Sequence, residues 1–295
     1  MASLLPRVKS RLFIHANRRS TNLLDGAYAS VQVGRSLDFD DLRHYVPGDQ
    51  VEDIDWKATA RTGQPLVKRY LQTRRQDVLF VVDTGRGMAA TAEGGESKRD
   101  LAIDVVGVLG FLSLRHGDSV GMITHADGRV RIRPPKSTEG YLEAMLRGIR
   151  DETTLDGEQS DITDLLGHVS RVLRNRGILV VVADDLMPPD DLDETLKALG
   201  GRHELLWVTV ADLDLISGDG SRRQIVGVED DQLIPTIFRS DRKLRRLYAE
   251  AATWRVESQE TFFTRLAVSH ARVGSIESVV PTLLNMLRRR ARAGI

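Results

Sequence analysis

Residues 78–83 of the chain read Val-Leu-Phe-Val-Val-Asp, an unbroken apolar run that ends in a carboxylate. A half-exposed strand alternates apolar and polar side chains, whereas a strand buried on both faces is apolar throughout. The stretch therefore predicts the central strand of a mostly parallel sheet. Asp83 follows it directly, and this places Asp83 at the carboxyl end of the strand, where open α/β sheets bind ligands.

Similar apolar runs recur along the chain and alternate with segments of helical periodicity. The runs lie at residues 119–124, 178–183, 205–210 and, more weakly, 271–273, and residues 129–133 alternate like an edge strand. Apolar residues spaced for one helix face recur in residues 162–173 and 276–287. Strands that alternate with helices predict an α/β fold with a doubly wound, mostly parallel sheet.

Composition excludes several classes of protein. Lys plus Arg and Asp plus Glu both number 42, and Cys is absent. No overall charge draws the chain to nucleic acid, and disulfides, thiolate zinc sites and cysteine nucleophiles are ruled out. Residues 1–20 hold only short apolar runs, below the roughly 7–15 residues of a signal-peptide core or the roughly 20 of a membrane span. We therefore expect a cytoplasmic protein with no membrane span.

The chain changes character near Gln76. Residues 1–76 are dense in charged and turn-forming side chains, whereas strands and amphipathic helices alternate from Val78 onward. We predict an irregular or β-rich N-terminal module at residues 1–76 and the sheet domain at residues 77–292. The first helix of the sheet domain is predicted to begin at Ser97, whose hydroxyl would cap it in a capping box with Asp100.

Carboxylates mark the predicted strand ends. Asp83, Asp184 and Asp212 each follow an apolar run, and the carboxyl ends of parallel strands meet at one edge of a sheet. One hypothesis is therefore a divalent-metal-dependent hydrolase that uses these three side chains. The sequence contains no His-Glu-x-x-His, Gly-x-Ser-x-Gly or Walker A pattern, and this favours a protein without catalytic residues.

The most specific pattern precedes the sheet, and we call residues 43–61 the signature segment. Residues 43–49 read Arg-His-Tyr-Val-Pro-Gly-Asp, and residues 53–61 read Asp-Ile-Asp-Trp-Lys-Ala-Thr-Ala-Arg. In order and spacing they resemble the signature of the bacterial von Willebrand A-like family called domain of unknown function 58, and the resemblance runs from about Gly26 to the end of the chain. The signature positions are Arg43, Tyr45, Gly48, Asp49, Asp53, Asp55, Trp56 and Arg61.

The resemblance implies a von Willebrand A-like fold and a role for the strand ends. That fold carries a metal-ion-dependent adhesion motif, Asp-x-Ser-x-Ser, in which a later threonine and a later aspartate complete a Mg²⁺ site. The matching positions here are Asp83, Gly85, Gly87, Ser160 and Asp184, with Thr153 and Thr154 as alternatives to Ser160. Glycine supplies no side-chain oxygen, and Mg²⁺ requires about six oxygen ligands. We therefore expect a degenerate motif with no tightly bound Mg²⁺ and no other cofactor. If the fold retains the family geometry, two restored serines at positions 85 and 87 should create Mg²⁺ affinity.

The serine and the two glycines at the motif positions also have simpler interpretations. Ser160 would serve equally as the N-cap of a helix that begins at Asp161. The two glycines would serve a tight turn. The basic residues 288–292 follow an amphipathic helix and are interpreted as complements of its C-terminal dipole rather than as a nucleic-acid patch.

The signature segment itself has two interpretations. In the first, it locks the N-terminal module onto the sheet domain, with Trp56 largely buried and Asp53 or Asp55 paired with Arg43 or Arg61. In the second, the surface around Tyr45 and Trp56 docks a partner, because aromatic residues dominate interface energetics. Exposure of Trp56, together with carboxylates at Asp53 and Asp55 that point alone into solvent, would favour docking.

The resemblance also implies a function. Members of the family are associated with MoxR-type AAA+ ATPases and are thought to act as their adaptors or as assembly factors. The function implied for this chain is therefore a non-catalytic protein-interaction module with a MoxR-type ATPase as its partner. The alternatives are the metal-dependent hydrolase and a scaffold or signalling protein with no ATPase partner.

Overall fold

The computed structural model describes residues 3–15, 38–46, 54–71, 75–126, 128–187, 189, 191–214, 226–228, 232–233 and 241–293. The chain divides into two compact units, one formed by Met1–Tyr28 with Gln76–Ile295 and the other by Ala29–Arg75. The larger unit contains the predicted sheet, and the smaller unit contains the signature segment.

Strands and helices alternate along the larger unit, and the smaller unit contributes a hairpin and a short helix. In chain order the described elements are α1 (Leu4–His15), β1 (Asp38–His44), α2 (Trp56–Thr62), β2 (Leu66–Leu71), β3 (Asp77–Val82), a 3₁₀ turn (Arg86–Ala89), α3 (Lys98–Arg115), β4 (Ser119–Ala126), β5 (Arg129–Lys136), α4 (Glu139–Glu152), α5 (Ile162–Gly167), α6 (Val169–Val172), β6 (Ile178–Asp184), α7 (Leu192–Gly200), β7 (Glu204–Val210), α8 (Arg242–Arg265), β8 (Ser269–Val273) and α9 (Ile276–Ala293).

The larger unit is built on a six-stranded sheet with the order β5-β4-β3-β6-β7-β8. Neighbouring strands are parallel except for β5, which pairs antiparallel with β4 at one edge. Numbered from β3, this is the order 3-2-1-4-5-6 of doubly wound folds. The predicted α/β class, the interior position of β3 and the edge position of β5 are confirmed.

Helices cover both faces of this sheet. On one face, α3 is buried along nearly its whole length from Lys98 to Ser113, as expected for a helix that is apolar on all sides. On the other face, alternate residues of β3, Leu79 and Val81, share one core cluster with α5, α6, α7 and Phe263 of α8. The continuous apolar run of β3 is thereby explained, because each of its faces has a helical layer to pack on.

Helix α1 belongs to the larger unit, and this corrects the predicted assignment of all of residues 1–76 to an N-terminal module. Its buried residues Leu5, Val8 and Leu12 form one apolar face, and α1 contacts α3 and α4. The carboxylate of Glu143 on α4 accepts hydrogen bonds from the first backbone N–H groups of α1, at 2.7 Å from that of Leu5. A carboxylate at this end stabilises a helix, so α1 is held by apolar and polar contacts.

The C-terminal helix α9 also uses charged side chains for packing. Arg290 is buried and pairs with Glu204 of β7, and it donates a hydrogen bond to Ser269 of β8 at 3.0 Å. Arg289 donates to the backbone carbonyl of His270 at 2.9 Å. Part of the basic run at residues 288–292 therefore anchors α9 to the sheet.

None of the helices within the described residues is both long and apolar enough to cross a membrane.

The smaller unit pairs β1 and β2 antiparallel, with α2 between them in sequence. Asp55 is the N-cap of α2, and its carboxylate accepts from the backbone N–H groups of Lys57 and Ala58 at 3.1 and 3.0 Å. Gly63 ends the helix at φ 72°, a left-handed conformation that glycine adopts without strain. These two caps explain why so short a helix has defined ends.

Candidate functional site

The strand order brings the predicted carboxylates to one edge of the sheet. Asp83 follows β3, Asp184 ends β6, and Asp212 lies two residues beyond β7. β6 pairs in parallel with both β3 and β7, so the three strands end side by side. We call Asp83, Asp184, Asp212 and the lysine described next the strand-end centre.

Lys98, the first residue of α3, lies among these carboxylates. Its ammonium donates hydrogen bonds to Oδ1 of Asp184 and to Oδ1 of Asp212. The lysine side chain is 1% exposed, against 8% for Asp184 and 35% for Asp212. Burial of an unpaired ammonium would cost several kcal/mol, so Lys98 can lie in the core only because the two carboxylates pair with it.

The pKa values of the centre follow from this pairing. Burial alone would lower the pKa of Lys98, but the charges and hydrogen bonds of Asp184 and Asp212 raise it above its usual value. Burial raises the pKa of Asp212, repulsion from Asp184 adds to the rise, and Lys98 opposes it. Lys98 is therefore protonated at neutral pH, and its charge is a permanent part of the site.

Sequence analysis identified Asp184 and Asp212 but missed Lys98. One local signal was available: a lysine at the first position of α3 opposes the helix dipole, which favours acidic residues there. The segment before it is also folded back, because Ala92 pairs with Asp212 in an isolated bridge and the Lys98 N–H donates to the Ala90 carbonyl at 2.9 Å. The hydroxyl of Ser97 makes no cap hydrogen bond, so the predicted capping box is wrong and the helix start is fixed by these tertiary contacts.

Asp83 is partly buried beside this pair. Its Oδ1 accepts the backbone N–H of Gly85 at 2.8 Å. Burial raises the pKa of Asp83 to about 6, the charge of Asp184 adds to the rise, and the Gly85 N–H, the Ser160 hydroxyl and Lys98 oppose it. The next residue, Thr84, is buried and bonds through its hydroxyl to the backbone of His125 on β4, so the turn after β3 is fixed on both sides.

Gly85 is in close contact with Ser160. A Cβ atom placed on Gly85 would lie 2.6 Å from the backbone nitrogen of Ser160 and 2.9 Å from its Cβ. The N–H of Arg86 donates to the Glu158 carbonyl at 3.0 Å and holds this loop against the turn. The N-cap of α5 is Asp161, which bonds to the N–H groups of Thr163 and Asp164. The interpretation of Ser160 as the helix cap is therefore wrong.

The strand-end centre does not fit the Mg²⁺ site of the adhesion motif. Gly85 and Gly87 supply no side-chain oxygen, the backbone of Ser160 fills the space that a side chain at Gly85 would need, and the Lys98 ammonium bonds to two of the carboxylates. Within the described part of the chain, no group of three or more His, Asp or Glu side chains is arranged to hold a metal ion. The expectation that two restored serines would create Mg²⁺ affinity requires the family geometry, and here a Cβ atom on Gly85 would lie 2.6 Å from the Ser160 nitrogen.

A second buried ion pair lies next to the strand-end centre, and sequence analysis missed it. Asp185 is fully buried and accepts from Arg272 of β8 at 2.6 Å, while Arg272 also donates to Glu93 at 2.9 Å. Gln259 of α8 donates to Asp185 at 3.3 Å. The loop before α3, the edge strand β8 and α8 are thereby tied to the end of β6.

The structure places Trp56 of the signature segment differently from the prediction. Trp56 begins α2 and is 66% exposed, so the prediction that it is largely buried is wrong. No residue of α2 is buried, and hydrogen bonds to Leu66 tie the helix to β2. Tyr45 is 37% exposed, and Arg61 lies exposed in the last turn of α2.

Part of the signature lies outside the described residues. Asp53, Gly48 and Asp49 belong to that part, as does the side chain of Arg43. The predicted pairing of Asp53 with an arginine is therefore still a prediction. Asp55 is described as the N-cap of α2.

Comparisons with known proteins give one family, relatives of similar sequence and solved structures of partial similarity. The model of the family described as protein of unknown function DUF58 matches residues 41–258. The uncharacterized protein Rv1480 of Mycobacterium tuberculosis (strain ATCC 25618 / H37Rv) is 30% identical over 206 residues, which cover 68% of this chain and 63% of Rv1480. The chain thus spans less than two thirds of that relative's length.

Two solved structures are similar to parts of this chain at low sequence identity. An aerotolerance-related membrane protein from Bacteroides fragilis NCTC 9343 is 17% identical, with 72% of this chain and 99% of that chain covered and a TM-score of 0.46. The SpRpn10 VWA domain is 11% identical, with 48% of this chain and 78% of that chain covered and a TM-score of 0.36.

Proposed function

The chain belongs to the DUF58 family and has a von Willebrand A-like α/β fold, and from this premise we propose that it is a non-catalytic protein-interaction module that acts as an adaptor or assembly factor for a MoxR-type AAA+ ATPase. A cytoplasmic location is part of the same proposal. The choice of partner rests on the family resemblance stated above. The docking role rests on the geometry of the signature segment.

The observation that carries the docking role is the exposure of Trp56. A tryptophan that is 66% exposed adds little to the stability of its own unit. At protein interfaces, Trp and Tyr are the residues whose truncation most often costs a large share of the binding energy. Tyr45 and Val46 of the same segment are 37% and 55% exposed, so the segment offers several apolar anchors to a partner.

Helix α2 presents Trp56 on a rigid support. The Asp55 N–H donates to the Leu66 carbonyl at 2.8 Å, and the Leu66 N–H donates to the Thr59 hydroxyl at 3.0 Å. These bonds tie the N-cap and the middle of α2 to the start of β2, where Leu66 and Val67 are buried. A partner would therefore meet an aromatic side chain whose backbone is already ordered, and this reduces the entropy lost on binding.

The strand-end centre supports the non-catalytic part of the proposal. A metal-dependent hydrolase needs carboxylate oxygens that are free to bind the ion and a position open to water or substrate. Here Asp184 and Asp212 are paired with Lys98, and Ser160 lies against Gly85. This arrangement resembles an internal support more than a reaction centre.

The test is binding of the full chain to the MoxR-type ATPase of the same organism, measured by calorimetry. We expect Trp56→Ala to weaken the interaction about 30-fold, the loss typical of an interface hot spot. The matched control is Trp254→Ala on α8, because Trp254 is 62% exposed but lies outside the signature segment. The control should bind like the wild type.

Two outcomes would count against the proposal. Equal affinity for wild type and Trp56→Ala would remove the signature segment from the interface. No binding of the wild type to the ATPase in any nucleotide state would favour the scaffold without an ATPase partner. Circular dichroism of both variants checks that a loss of binding is not a loss of fold.

A further inference from the structure

We propose that Lys98 is the resident cation of the strand-end centre and that this centre works without any divalent ion. The inference goes beyond the proposed partner and holds whichever protein the signature segment binds. It follows from the position of the lysine, from the use of the carboxylate oxygens and from the repulsion between cations at the site.

The position of Lys98 is set by long-range contacts. Its ammonium bridges Asp184 on β6 and Asp212 beyond β7, and therefore joins the ends of two adjacent parallel strands. A divalent ion in a carboxylate site has the same task, because it neutralises side chains that parallel strands force together. In this chain the positive charge is covalently attached and is 1% exposed.

The carboxylate oxygens that face this position already accept hydrogen bonds. Oδ1 of Asp184 accepts from the N–H of Asp185 at 2.6 Å as well as from Lys98. Oδ1 of Asp83 accepts from Gly85 at 2.8 Å. Mg²⁺ gives up its waters only for a near-complete octahedral shell of oxygens, and here the Lys98 ammonium already lies on the Oδ1 atoms of Asp184 and Asp212.

Repulsion between cations points the same way. Three carboxylates lie at the centre, and Lys98 is a cation in direct contact with two of them. A divalent ion close enough to bind the same oxygens would also be within a few ångströms of the ammonium, where the two cations repel each other. Lysine and metal are therefore alternative solutions to one electrostatic problem, and this chain uses lysine.

The consequence is a strand-end centre that does not respond to metal concentration. Partner binding and folding should be the same in EDTA as in millimolar Mg²⁺ or Ca²⁺. The stability of the larger unit should instead depend on the lysine. Removal of its charge would leave the buried carboxylate of Asp184 and the partly exposed one of Asp212 without their cation, at a cost typical of a broken buried ion pair.

The experiment combines metal titration with a charge-balanced double variant of the full chain. Titration of the wild type with MgCl₂ and CaCl₂ should give no binding heat and no shift in Tm relative to EDTA. Lys98→Met, which keeps most of the unbranched side chain without its charge, should lower Tm by about 10 °C. Lys98→Met with Asp184→Asn removes one charge of each sign and should recover part of that loss. Lys197→Met is the control, because Lys197 is exposed and pairs with Asp193 within one helix, and it should change Tm little.

The double variant separates charge from packing. If Lys98 only fills space, the second substitution will lower Tm further or leave it unchanged, and the proposal is overturned. If Lys98→Met does not fold, circular dichroism of the double variant decides: a folded double variant supports the proposal, and an unfolded one contradicts it. Stoichiometric Mg²⁺ or Ca²⁺ binding by the wild type that Asp184→Asn abolishes would also overturn it.

Discussion

Substitution of Gly85 by alanine tests whether the strand-end centre is closed as tightly as the geometry indicates. The added Cβ atom would lie 2.6 Å from the Ser160 nitrogen, 2.9 Å from the Ser160 Cβ and 3.2 Å from Asp83 Oδ1. Gly85 has φ −65° and ψ 168°, an extended conformation that alanine adopts freely. The cost of the substitution is therefore steric and does not arise from backbone strain.

The magnitude follows from what must move. The atom that meets the new methyl group most closely belongs to the backbone of Ser160, in a loop held by the bond from Arg86 N–H to the Glu158 carbonyl. Overpacking of this kind costs about 1–3 kcal/mol, and alanine recovers roughly 0.4–1 kcal/mol by restricting the unfolded chain. We expect a net destabilisation of about 1–2 kcal/mol, measured by urea denaturation.

The matched control is Gly140→Ala in the first turn of α4. A Cβ atom there meets nothing within 4 Å, so the only effect is the better helix propensity of alanine, worth about 0.5–1 kcal/mol of added stability. The two variants should thus differ in sign. If Gly85→Ala is as stable as the wild type, the Ser160 loop withdraws at little cost and the centre is able to open.

Two further predictions concern the same turn. Burial raises the pKa of Asp83 from 3.8 to about 6, so the contribution of this group to stability is fully present below pH 3.8 and is lost as the pH rises through 6. At pH 7, Asp83→Asn should therefore be more stable than the wild type, by at most about 3 kcal/mol. Urea denaturation from pH 4 to 8 measures this difference, and a difference that does not vary with pH would contradict the assigned pKa. The variant with both Gly85→Ser and Gly87→Ser should show no Mg²⁺ binding by calorimetry, because Lys98 still holds the carboxylates; micromolar affinity would mean that the lysine can be displaced.

The exposure of Trp56 shows where sequence reasoning about the signature segment reached its limit. The residues Asp55, Trp56 and Lys57 have the composition of a buried aromatic with charged neighbours. The same composition suits a capped helix that presents an aromatic side chain to solvent, and the structure has this second arrangement. Local sequence cannot separate the two, because burial depends on what packs against the helix from elsewhere in the chain.

The sequence by itself determined the sheet, its mostly parallel pairing and the places of two strands in it, but not the full strand order. A continuous apolar strand needs a packed layer on each face, and helices between successive strands favour parallel pairing. Local patterns therefore predicted the position of β3 and the edge strand β5. They also predicted the shared edge of Asp83, Asp184 and Asp212. The signature segment likewise determined the family.

Only the tertiary structure decided what lies among those carboxylates. Lys98 is separated from Asp184 by 86 residues and from Asp212 by 114, and Ser160 meets Gly85 across a comparable distance in sequence. Helix α1 likewise joins the sheet unit through contacts with Glu143, 138 residues away from Leu5. Contacts between residues so far apart in sequence produce no periodic pattern in the chain. They depend on the free energy of burying a charge together with its partner in the folded core, and not on the conformational preference of any segment.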